Sequence, residues 1–366
     1  MKKILIIDTT WPINSRTQRF KNSLDSIFRT VVVAWSRNGI LENIPRDHYI
    51  LEGNIGYGKQ LKKLLYLPIF IYYTYKVSCK EKPNAIFASH WDSLICATFI
   101  RLFIKGNTKV IYDCLDLPTT SNRCLKFILD KVEKFCLRYV DLTIFASRYF
   151  KLLYSNHLNS YVFENYPSLN SFQKKINEPE FFKQHKEIDF NNIRSVSWIG
   201  VVRYFDVIEN ILLAIKSTDI YLLVFGDGPE LDKLKKAVDK HHLNAQVLFF
   251  GRYNHSELPS IYNISQCIWA AYPTNDFNAV YAISNKYFEC SFFEKDIVLS
   301  QKTKMAKSLY NHKNVLLVDE YSVSDIRDKL MKFIEKGKGK YSKYEPDIFW
   351  EDKEKEMLQI ISEIVD

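Results

Sequence analysis

Two series of short apolar segments follow one another along the chain, and this repetition is the feature that most restricts its fold. Each segment is rich in β-branched, aliphatic or aromatic residues, and helix-length stretches separate most of them. Continuous apolar runs of this kind are typical of parallel strands covered by helices on both faces. The first series lies at 3–8, 31–35, 85–88, 110–112, 142–145 and 161–163. The second lies at 195–199, 221–225, 247–250, 267–271, 297–299 and 315–318.

A polar stretch at 166–194, without sustained periodicity, separates the two series and is typical of a linker. A chain of 366 residues has room for about two domains. We therefore predict an α/β protein with two tandem Rossmann-like, doubly wound domains at 1–170 and 190–345. The last segment, 346–366, carries apolar residues at helical spacing and is predicted to form a C-terminal helix.

The positive charge is confined to the first half of the chain. The sequence has 51 Lys and Arg against 42 Asp and Glu, and residues 1–170 account for 24 of the basic and 13 of the acidic side chains. This asymmetry suits a protein in which one domain meets an anionic surface, and it also occurs in nucleic-acid-coating proteins. The sequence has no aromatic stacking motif that would support nucleic-acid binding, so we predict no nucleic-acid partner.

Two basic, aromatic-rich segments, 59–76 and 123–138, give this charge a candidate purpose. Such segments can lie on an anionic membrane surface, and the alternative is a pair of core helices with solvated lysines.

The longest apolar run, 64–73, has ten residues, fewer than the ~20 that span a bilayer. The seven cysteines form no Cys-x-x-Cys pair and suggest reduced thiols. We predict a cytoplasmic protein, with peripheral contact to the inner face of the cytoplasmic membrane left open.

Strand ends in the second half carry glycines and a basic residue. In open α/β sheets, ligands bind outside the carboxyl ends of the strands. Gly200 and Arg203 follow one predicted strand, Gly226 and Gly228 follow the next in a Gly-Asp-Gly-Pro-Glu turn, and Gly251 follows a third. Each turn alone could be purely structural, whereas together they predict a ligand site at this edge.

The segment 284–289 opens an apolar helix and is the most specific local signal. Ser284 or Asn285 can cap the helix, which leaves other first-turn amides for a phosphate. Lys286 and Glu289 are three residues apart and share a helix face. A cation and a carboxylate so placed suit the phosphates and the ribose hydroxyls of a nucleoside diphosphate. The alternative is an ordinary capped helix with a surface ion pair.

In this order the motifs resemble the nucleotide-sugar half of GT-B glycosyltransferases, particularly the bacterial polysaccharide group. The resemblance covers residues 195–300 well and the rest in outline. It implies transfer of a sugar from a nucleotide sugar, with UDP favoured, to a sugar hydroxyl of a cell-surface polysaccharide or of a glycan carried on a polyprenyl diphosphate. It also implies that Arg203 and Lys286 hold the pyrophosphate, Glu289 the ribose, and the Gly226 and Gly251 loops the base. The segment 346–366 would cross back to the first domain.

The first domain departs from the family pattern. Residues 9–18 lack the glycine-rich loop that often follows the first strand. Arg16 in this segment is a candidate contact for an anionic acceptor or the donor, or else a solvated surface arginine. Many retaining members carry an acid seven residues before the ribose-binding glutamate, where this chain has Tyr281. This favours inversion without deciding the stereochemistry.

Asp116 is the candidate catalytic base, because Tyr112-Asp113-Cys-Leu-Asp116 resembles the Tyr-x-x-x-Asp region of glucuronosyltransferase-like members. An inverting transferase needs a carboxylate that takes the proton of the acceptor hydroxyl. Asp116 could instead cap a helix or bind loop amides. Asp113 suits the role less, because it is adjacent to the predicted strand and faces the opposite side at odd spacing. His90 matches a histidine position of the family and is a candidate contact for donor or acceptor, or a structural histidine.

The sequence shows no metal-binding motif, neither an Asp-x-Asp nor a zinc-ligand spacing. We therefore predict a metal-independent enzyme without a cofactor, in which helix ends and basic side chains stabilise the leaving diphosphate. Two alternatives remain. One is a sugar-nucleotide 2-epimerase of the same fold, and the other is a non-catalytic nucleotide-sugar-binding protein.

Overall fold

The computed structural model describes residues 1–37, 39, 41, 44–53, 56, 60–104, 106–120, 122–154, 159–169, 172, 188–190, 192–335 and 341–366. The chain divides into two compact units, and each contains its own parallel sheet. The first unit comprises Met1–Asn165 and Lys353–Asp366, and the second comprises Tyr166–Asp352. The predicted fold class, α/β with two doubly wound domains, is confirmed. Most of the predicted linker at 166–194 lies outside the described residues.

The first unit has seven parallel strands in the order β3-β2-β1-β4-β5-β6-β7. In chain order its elements are β1 (Lys3–Asp8), α1 (Ser15–Leu24), β2 (Arg29–Ser36), β3 (His48–Glu52), α2 (Gln60–Glu81), β4 (Ala85–Ser89), α3 (His90–Phe103), β5 (Lys109–Cys114), α4 (Arg123–Leu137), β6 (Leu142–Phe145), α5 (Arg148–Lys151) and β7 (Ser160–Val162). Sequence reasoning missed β3, which is an edge strand without a continuous apolar run.

The second unit has six parallel strands in the order β10-β9-β8-β11-β12-β13. Its elements are β8 (Arg194–Ile199), α6 (Phe205–Ile215), β9 (Ile220–Phe225), α7 (Leu231–His241), β10 (Val247–Gly251), a 3-10 turn (His255–Glu257), α8 (Leu258–Ile264), β11 (Cys267–Trp269), α9 (Phe277–Tyr281), α10 (Asn285–Phe292), β12 (Asp296–Ser300), α11 (Lys304–Ser308), β13 (Val315–Val318) and α12 (Val323–Glu335).

A last helix, α13 (Trp350–Val365), ends the chain, and its residues from Lys353 onward belong to the first unit. Met357, Ile361 and Val365 form its buried stripe. Lys2 fixes the end of the helix, because its Nζ donates to the carbonyl oxygen of Val365 at 3.1 Å.

The central strands of both sheets are buried on both faces, which explains their continuous apolar runs. In β1, for example, residues 4–7 are fully buried although successive side chains point to opposite faces. A strand with one solvated face would alternate between apolar and polar residues. Polar chemistry is therefore concentrated where the strands end, at the carboxyl edge of each sheet.

Candidate active site

Three neighbouring strands of the second unit, β10, β9 and β8, are followed by or end in glycines with positive φ. The φ angles are 128° at Gly200, 138° at Gly226 and 73° at Gly251. The amide of Gly200 donates to the carbonyl oxygen of Phe225 at 2.8 Å, and that of Gly226 donates to Gly251 at 2.7 Å. The ladder thus continues into the glycines, where the backbone turns in a way that side-chain-bearing residues rarely adopt.

The Gly-Asp-Gly-Pro-Glu turn packs directly on the loop after β8. A Cβ atom at Gly226 would lie 1.8 Å from the carbonyl oxygen of Gly200, and one at Gly228 would lie 2.2 Å from that of Val202. The Glu230 carboxylate accepts a hydrogen bond of 2.6 Å from the amide of Phe205, the first residue of α6. These residues therefore have a structural function, which is to hold two strand-end loops together. Their contact with the base stays a prediction.

The buried pair of Lys286 and Glu289 lies on the first turns of α10. Ser284 is the N-cap, and its Oγ accepts from the amide of Lys286 at 3.2 Å. Lys286 Nζ lies 2.7 Å from Glu289 Oε2, and the hydroxyl of Tyr262 donates to the same oxygen at 2.6 Å. Glu289 Oε1 accepts no hydrogen bond from any residue that the structure describes.

Both members of this pair keep their charge at neutral pH. Burial alone would raise the pKa of Glu289, but the charge of Lys286 and the hydrogen bonds from Lys286 and Tyr262 bring that pKa below its usual value. Burial likewise opposes the charge on Lys286, and the neighbouring Glu289 nonetheless raises the pKa of Lys286. The site therefore offers a carboxylate and an ammonium side by side.

Tyrosines that sequence reasoning missed surround this pair. Tyr262 binds Glu289 directly, and Tyr253 is close enough to Lys286 and Glu289 for their charges to act on its pKa, which burial raises. The Tyr272 ring, just after β11, lies 6.0 Å from that of Tyr204. Only their places near strand ends could have indicated Tyr253 and Tyr272, and no sequence signal marks Tyr262.

Arg203 is exposed in the loop between β8 and α6, and its guanidinium carbon lies 4.8 Å from the centre of the Tyr204 ring. It forms no ion pair with the residues that the structure describes. The guanidinium is therefore available to an anion, as the proposed pyrophosphate contact requires.

In the first unit, Asp8 organises the loop after β1 without any glycine. Its carboxylate accepts hydrogen bonds from the amide of Thr10 at 3.0 Å and from the side-chain amide of Asn14 at 2.7 Å. Asn14 Nδ2 also lies 3.4 Å from His90 Nε2. His90 is partly exposed and begins α3 with a φ of 71°, a left-handed conformation that is costly for a residue with a Cβ and is often found at functional sites.

Arg16 does not have the free guanidinium that an acceptor contact requires. The residue is 2% exposed, and its five N–H groups are all used within the first unit. Nε and Nη2 donate to Asp113, Nη2 also donates to the carbonyl of Phe163, and Nη1 donates to the Glu164 carbonyl and the Asn165 side chain. The expected solvated or substrate-facing arginine is instead the centre of a buried network.

Asp113 and Asp116 have opposite environments. Asp113 is fully buried and paired with Arg16 at 3.0 Å, so it has no access to a substrate hydroxyl. Asp116 is exposed in the loop after β5. Because β4 and β5 are adjacent and parallel, His90 and Asp116 follow neighbouring strands at the same edge of the sheet. The structure thus leaves Asp116 rather than Asp113 as the candidate base.

Among the described residues, no group of three or more His, Cys, Asp or Glu side chains could hold a metal ion. In the same part of the chain, no helix is both long and apolar enough to cross a bilayer. All seven cysteines are free.

Residues 199–345 match the model of a protein family, glycosyl transferases group 1. No curated protein matches the chain. Among solved structures, sucrose-phosphate synthase from Thermosynechococcus elongatus is similar over 100% of this chain and 99% of its own, with a TM-score of 0.73 and 13% identity. The chain has the GT-B fold. The resemblance to GT-B glycosyltransferases is thereby confirmed.

Two further structures share the GT-B fold. Anabaena HepE, solved in complex with UDP-glucose, matches 92% of this chain and 90% of its own, with a TM-score of 0.65 and 14% identity. The lipopolysaccharide outer core galactosyltransferase WaaB, in its apo form, matches 99% of both chains, with a TM-score of 0.62 and 13% identity. At these identities the similarity establishes the fold, and the chemistry must be argued from the site.

Proposed function

We propose that this protein is a glycosyltransferase that binds a UDP-sugar in its second domain and transfers the sugar to a hydroxyl of a polysaccharide or lipid-linked glycan. The observation that carries the proposal is the Lys286–Glu289 pair, held charged at the start of α10 within the region that matches the family. The UDP-glucose complex of HepE, which has the same fold, supports UDP as the nucleotide.

Glu289 is suited to bind the ribose. Lys286 and Tyr262 occupy Oε2 and fix the orientation of the carboxylate, while Oε1 accepts nothing from the described residues. A charged carboxylate oxygen is a strong acceptor for a sugar hydroxyl, and bonds to charged groups contribute about 1.5–3 kcal/mol.

Lys286 and Arg203 are suited to bind the diphosphate. Lys286 Nζ donates one described hydrogen bond, to Glu289, and an ammonium has three donors. The exposed Arg203 adds a planar fork that can bind phosphate oxygens in pairs. During transfer these cations, with the N-terminus of α10, would stabilise the charge that develops on the leaving UDP.

Asp116 is proposed as the base in the first domain. It would take the proton from the acceptor hydroxyl while the hydroxyl oxygen attacks the anomeric carbon and the bond from that carbon to UDP breaks. His90, at the end of the adjacent strand, would contact the donor or the acceptor. This scheme inverts the anomeric centre and requires no metal ion.

The donor assignment is tested by titrating UDP into Glu289→Gln in a calorimeter. Loss of the charged acceptor predicts a Kd for UDP that rises about tenfold to 100-fold. Glu294→Gln is the matched control, because Glu294 is exposed two residues beyond α10 and should leave the Kd unchanged. Equal affinity of Glu289→Gln and the native protein would refute the ribose contact.

The catalytic assignment is tested with Asp116→Asn. We expect UDP binding to persist while UDP release from UDP-glucose, in the presence of a membrane extract as acceptor source, falls by about 100-fold or more. Full turnover would place the base elsewhere. Production of an epimerised nucleotide sugar by the native protein would favour the 2-epimerase alternative, and UDP binding with neither reaction would favour a non-catalytic binding protein.

A further inference from the structure

Large apolar side chains are exposed mainly in the first unit. Among the described residues, sixteen exposed large hydrophobic side chains belong to the first unit and three to the second. Those of the second unit are Val201, Phe277 and Tyr310, which are isolated along the chain. Single exposed apolar residues are normal, whereas a contiguous group of them marks an interaction surface.

The outer side of α2 carries a strip with basic ends. Leu65, Ile69 and Tyr72 are 75%, 52% and 57% exposed and recur at helical spacing. Lys62 and Lys76 are exposed at the two ends of the same helix side, and Lys76 Nζ lies 4.8 Å from the centre of the Tyr72 ring. Between 62 and 80 this helix contains no acidic residue.

The strip continues onto α3 and reappears on α4. The ring of Tyr75 lies 6.0 Å from Phe99, and Phe99 lies 4.4 Å from Phe103, which is 61% exposed near the end of α3. Helix α3 also packs against α4. On α4, Phe127 is 64% exposed, and Lys131 Nζ lies 5.3 Å from the centre of its ring.

We use the name basic apolar face for a set of exposed residues on three helices: Lys62, Leu65, Ile69, Tyr72 and Lys76 of α2, Phe103 of α3, and Phe127, Lys131 and Phe135 of α4. Its two outer parts correspond to the segments 59–76 and 123–138 noted in the sequence, of which Lys59 lies outside the described residues. The structure adds the link through α3 and shows which apolar side chains face outward, since Leu67, Phe70 and Leu129 of the same segments are buried in the core.

We propose that the basic apolar face binds the surface of an anionic phospholipid bilayer. The leucine, isoleucine and aromatic side chains would enter the boundary between headgroups and acyl chains, while the lysines would meet the lipid phosphates. The charge agrees with this occupant, because residues 1–170 carry 24 basic against 13 acidic side chains, whereas the remainder carries 27 against 29. A second copy of the chain would instead bring lysines against lysines. This inference does not depend on the proposed donor site.

The test is sedimentation of the full chain with sucrose-loaded vesicles of phosphatidylcholine alone or mixed with phosphatidylglycerol. We expect binding to the mixed vesicles only, and weaker binding as salt is added. Lys62→Gln with Lys76→Gln should lower the partition coefficient by about 25-fold, because each lysine near an anionic surface contributes about fivefold. Leu65→Ser should lower it by about tenfold through lost apolar insertion.

Matched controls lie in the second unit. Lys236→Gln with Lys240→Gln removes two exposed lysines of α7, and Tyr310→Ser replaces an apolar residue that is 74% exposed, close to the 75% of Leu65. These variants should bind vesicles like the native protein, and urea denaturation of the same samples checks that each variant is folded. Binding that is absent, or equally strong in all variants, would overturn the proposal. If the native protein binds no vesicles but forms a dimer, and the Leu65→Ser variant is a monomer, the basic apolar face would instead bind a second copy of the chain.

Discussion

Each sheet has a buried ion pair near its carboxyl edge, and the two pairs use their charges differently. In the first unit, Arg16 gives all five N–H groups to residues of its own unit. In the second unit, the Lys286 ammonium donates one hydrogen bond to a described residue, Glu289. Of the two carboxylate oxygens of Glu289, Oε1 accepts no hydrogen bond from the described residues. The first pair is saturated, whereas the second retains hydrogen-bonding capacity for a ligand.

A third buried carboxyl group, that of Glu133, shows how a neighbouring cation affects the pKa of a buried carboxyl. Glu133 of α4 is 7% exposed and accepts hydrogen bonds from Tyr154 at 2.7 Å and Tyr112 at 3.2 Å, with no ion pair among the described residues. Burial raises the pKa of Glu133 to about 7, although both hydroxyls act against this rise. At Glu289, where a lysine is added to a tyrosine hydroxyl, the pKa is lowered instead. The nearby cation therefore decides whether a buried carboxyl is charged at neutral pH.

The largest expected effect comes from breaking the saturated pair. Arg16→Met leaves Asp113 buried without its partner and should lower the free energy of unfolding by about 3–5 kcal/mol. Urea denaturation measures this loss, and UDP titration of the folded protein should give an unchanged Kd. If stability is retained while the KM for the acceptor rises, Arg16 contacts the acceptor and the two pairs are alike.

Because the buried Glu133 has no ion-pair partner among the described residues, we predict that the stability of the protein depends on pH. Because the pKa of Glu133 is raised to about 7 in the folded protein, this residue favours folding at low pH, and the benefit is lost as pH rises from its ordinary value of 4.5 through about 7. Glu133→Gln keeps the hydrogen-bond acceptor and should stabilise the protein by about 3 kcal/mol above that range. Urea midpoints at about pH 5 and about pH 8 measure the difference.

Glu363→Gln provides the control for this measurement, since Glu363 is exposed on α13 in the same unit. It should leave the pH dependence as it is in the native protein. Two results would show that Glu133 does not titrate in this way. One is that the stability of the native protein does not fall between the two pH values. The other is that the stability of the Glu133→Gln variant falls as much as that of the native protein.

Removing the charge of Lys286 from the second ion pair should weaken the binding of UDP. Lys286→Gln removes the ammonium while retaining an amide donor, and we expect the Kd for UDP to rise about tenfold to 100-fold, since bonds to charged groups contribute about 1.5–3 kcal/mol. Calorimetry measures this change, with Lys236→Gln on α7 as the control. An unchanged Kd would mean that this pair, like that of Arg16, serves structure alone.

The smallest expected difference is the difference in stability between the variants Gly226→Ala and Gly251→Ala. Gly226→Ala meets the Gly200 carbonyl, and both Gly226 and Gly251 have positive φ, but a Cβ at Gly251 would meet nothing within 4 Å. Gly251→Ala should cost about 1–2 kcal/mol through φ alone. Gly226→Ala should cost about 1–3 kcal/mol more, because the loops must move apart. Equal urea midpoints for the two variants would contradict the close packing.

The sequence predicted the Lys286–Glu289 pair of the second unit but not the Arg16–Asp113 pair of the first unit, and the reason is physical. Lys286 and Glu289 are three residues apart on one helix, so their meeting follows from helical spacing alone. Arg16 and Asp113 lie 97 positions apart, and their meeting depends on the tertiary fold, which brings the Arg16 side chain from α1 to Asp113 in β5. Tyr262, which reaches Glu289 from 27 positions away, was missed for the same reason.

The sequence by itself determined the two parallel α/β domains, the strand-end glycines and the start of α10, because each depends on residues close together in the chain. Only the tertiary structure decided which charged groups are already occupied and which apolar residues face outward. Arg16 looked available and is saturated, while Leu65 and Phe127 could have been core residues and are exposed. Partners and burial are set by contacts between distant segments, and local patterns do not encode those contacts.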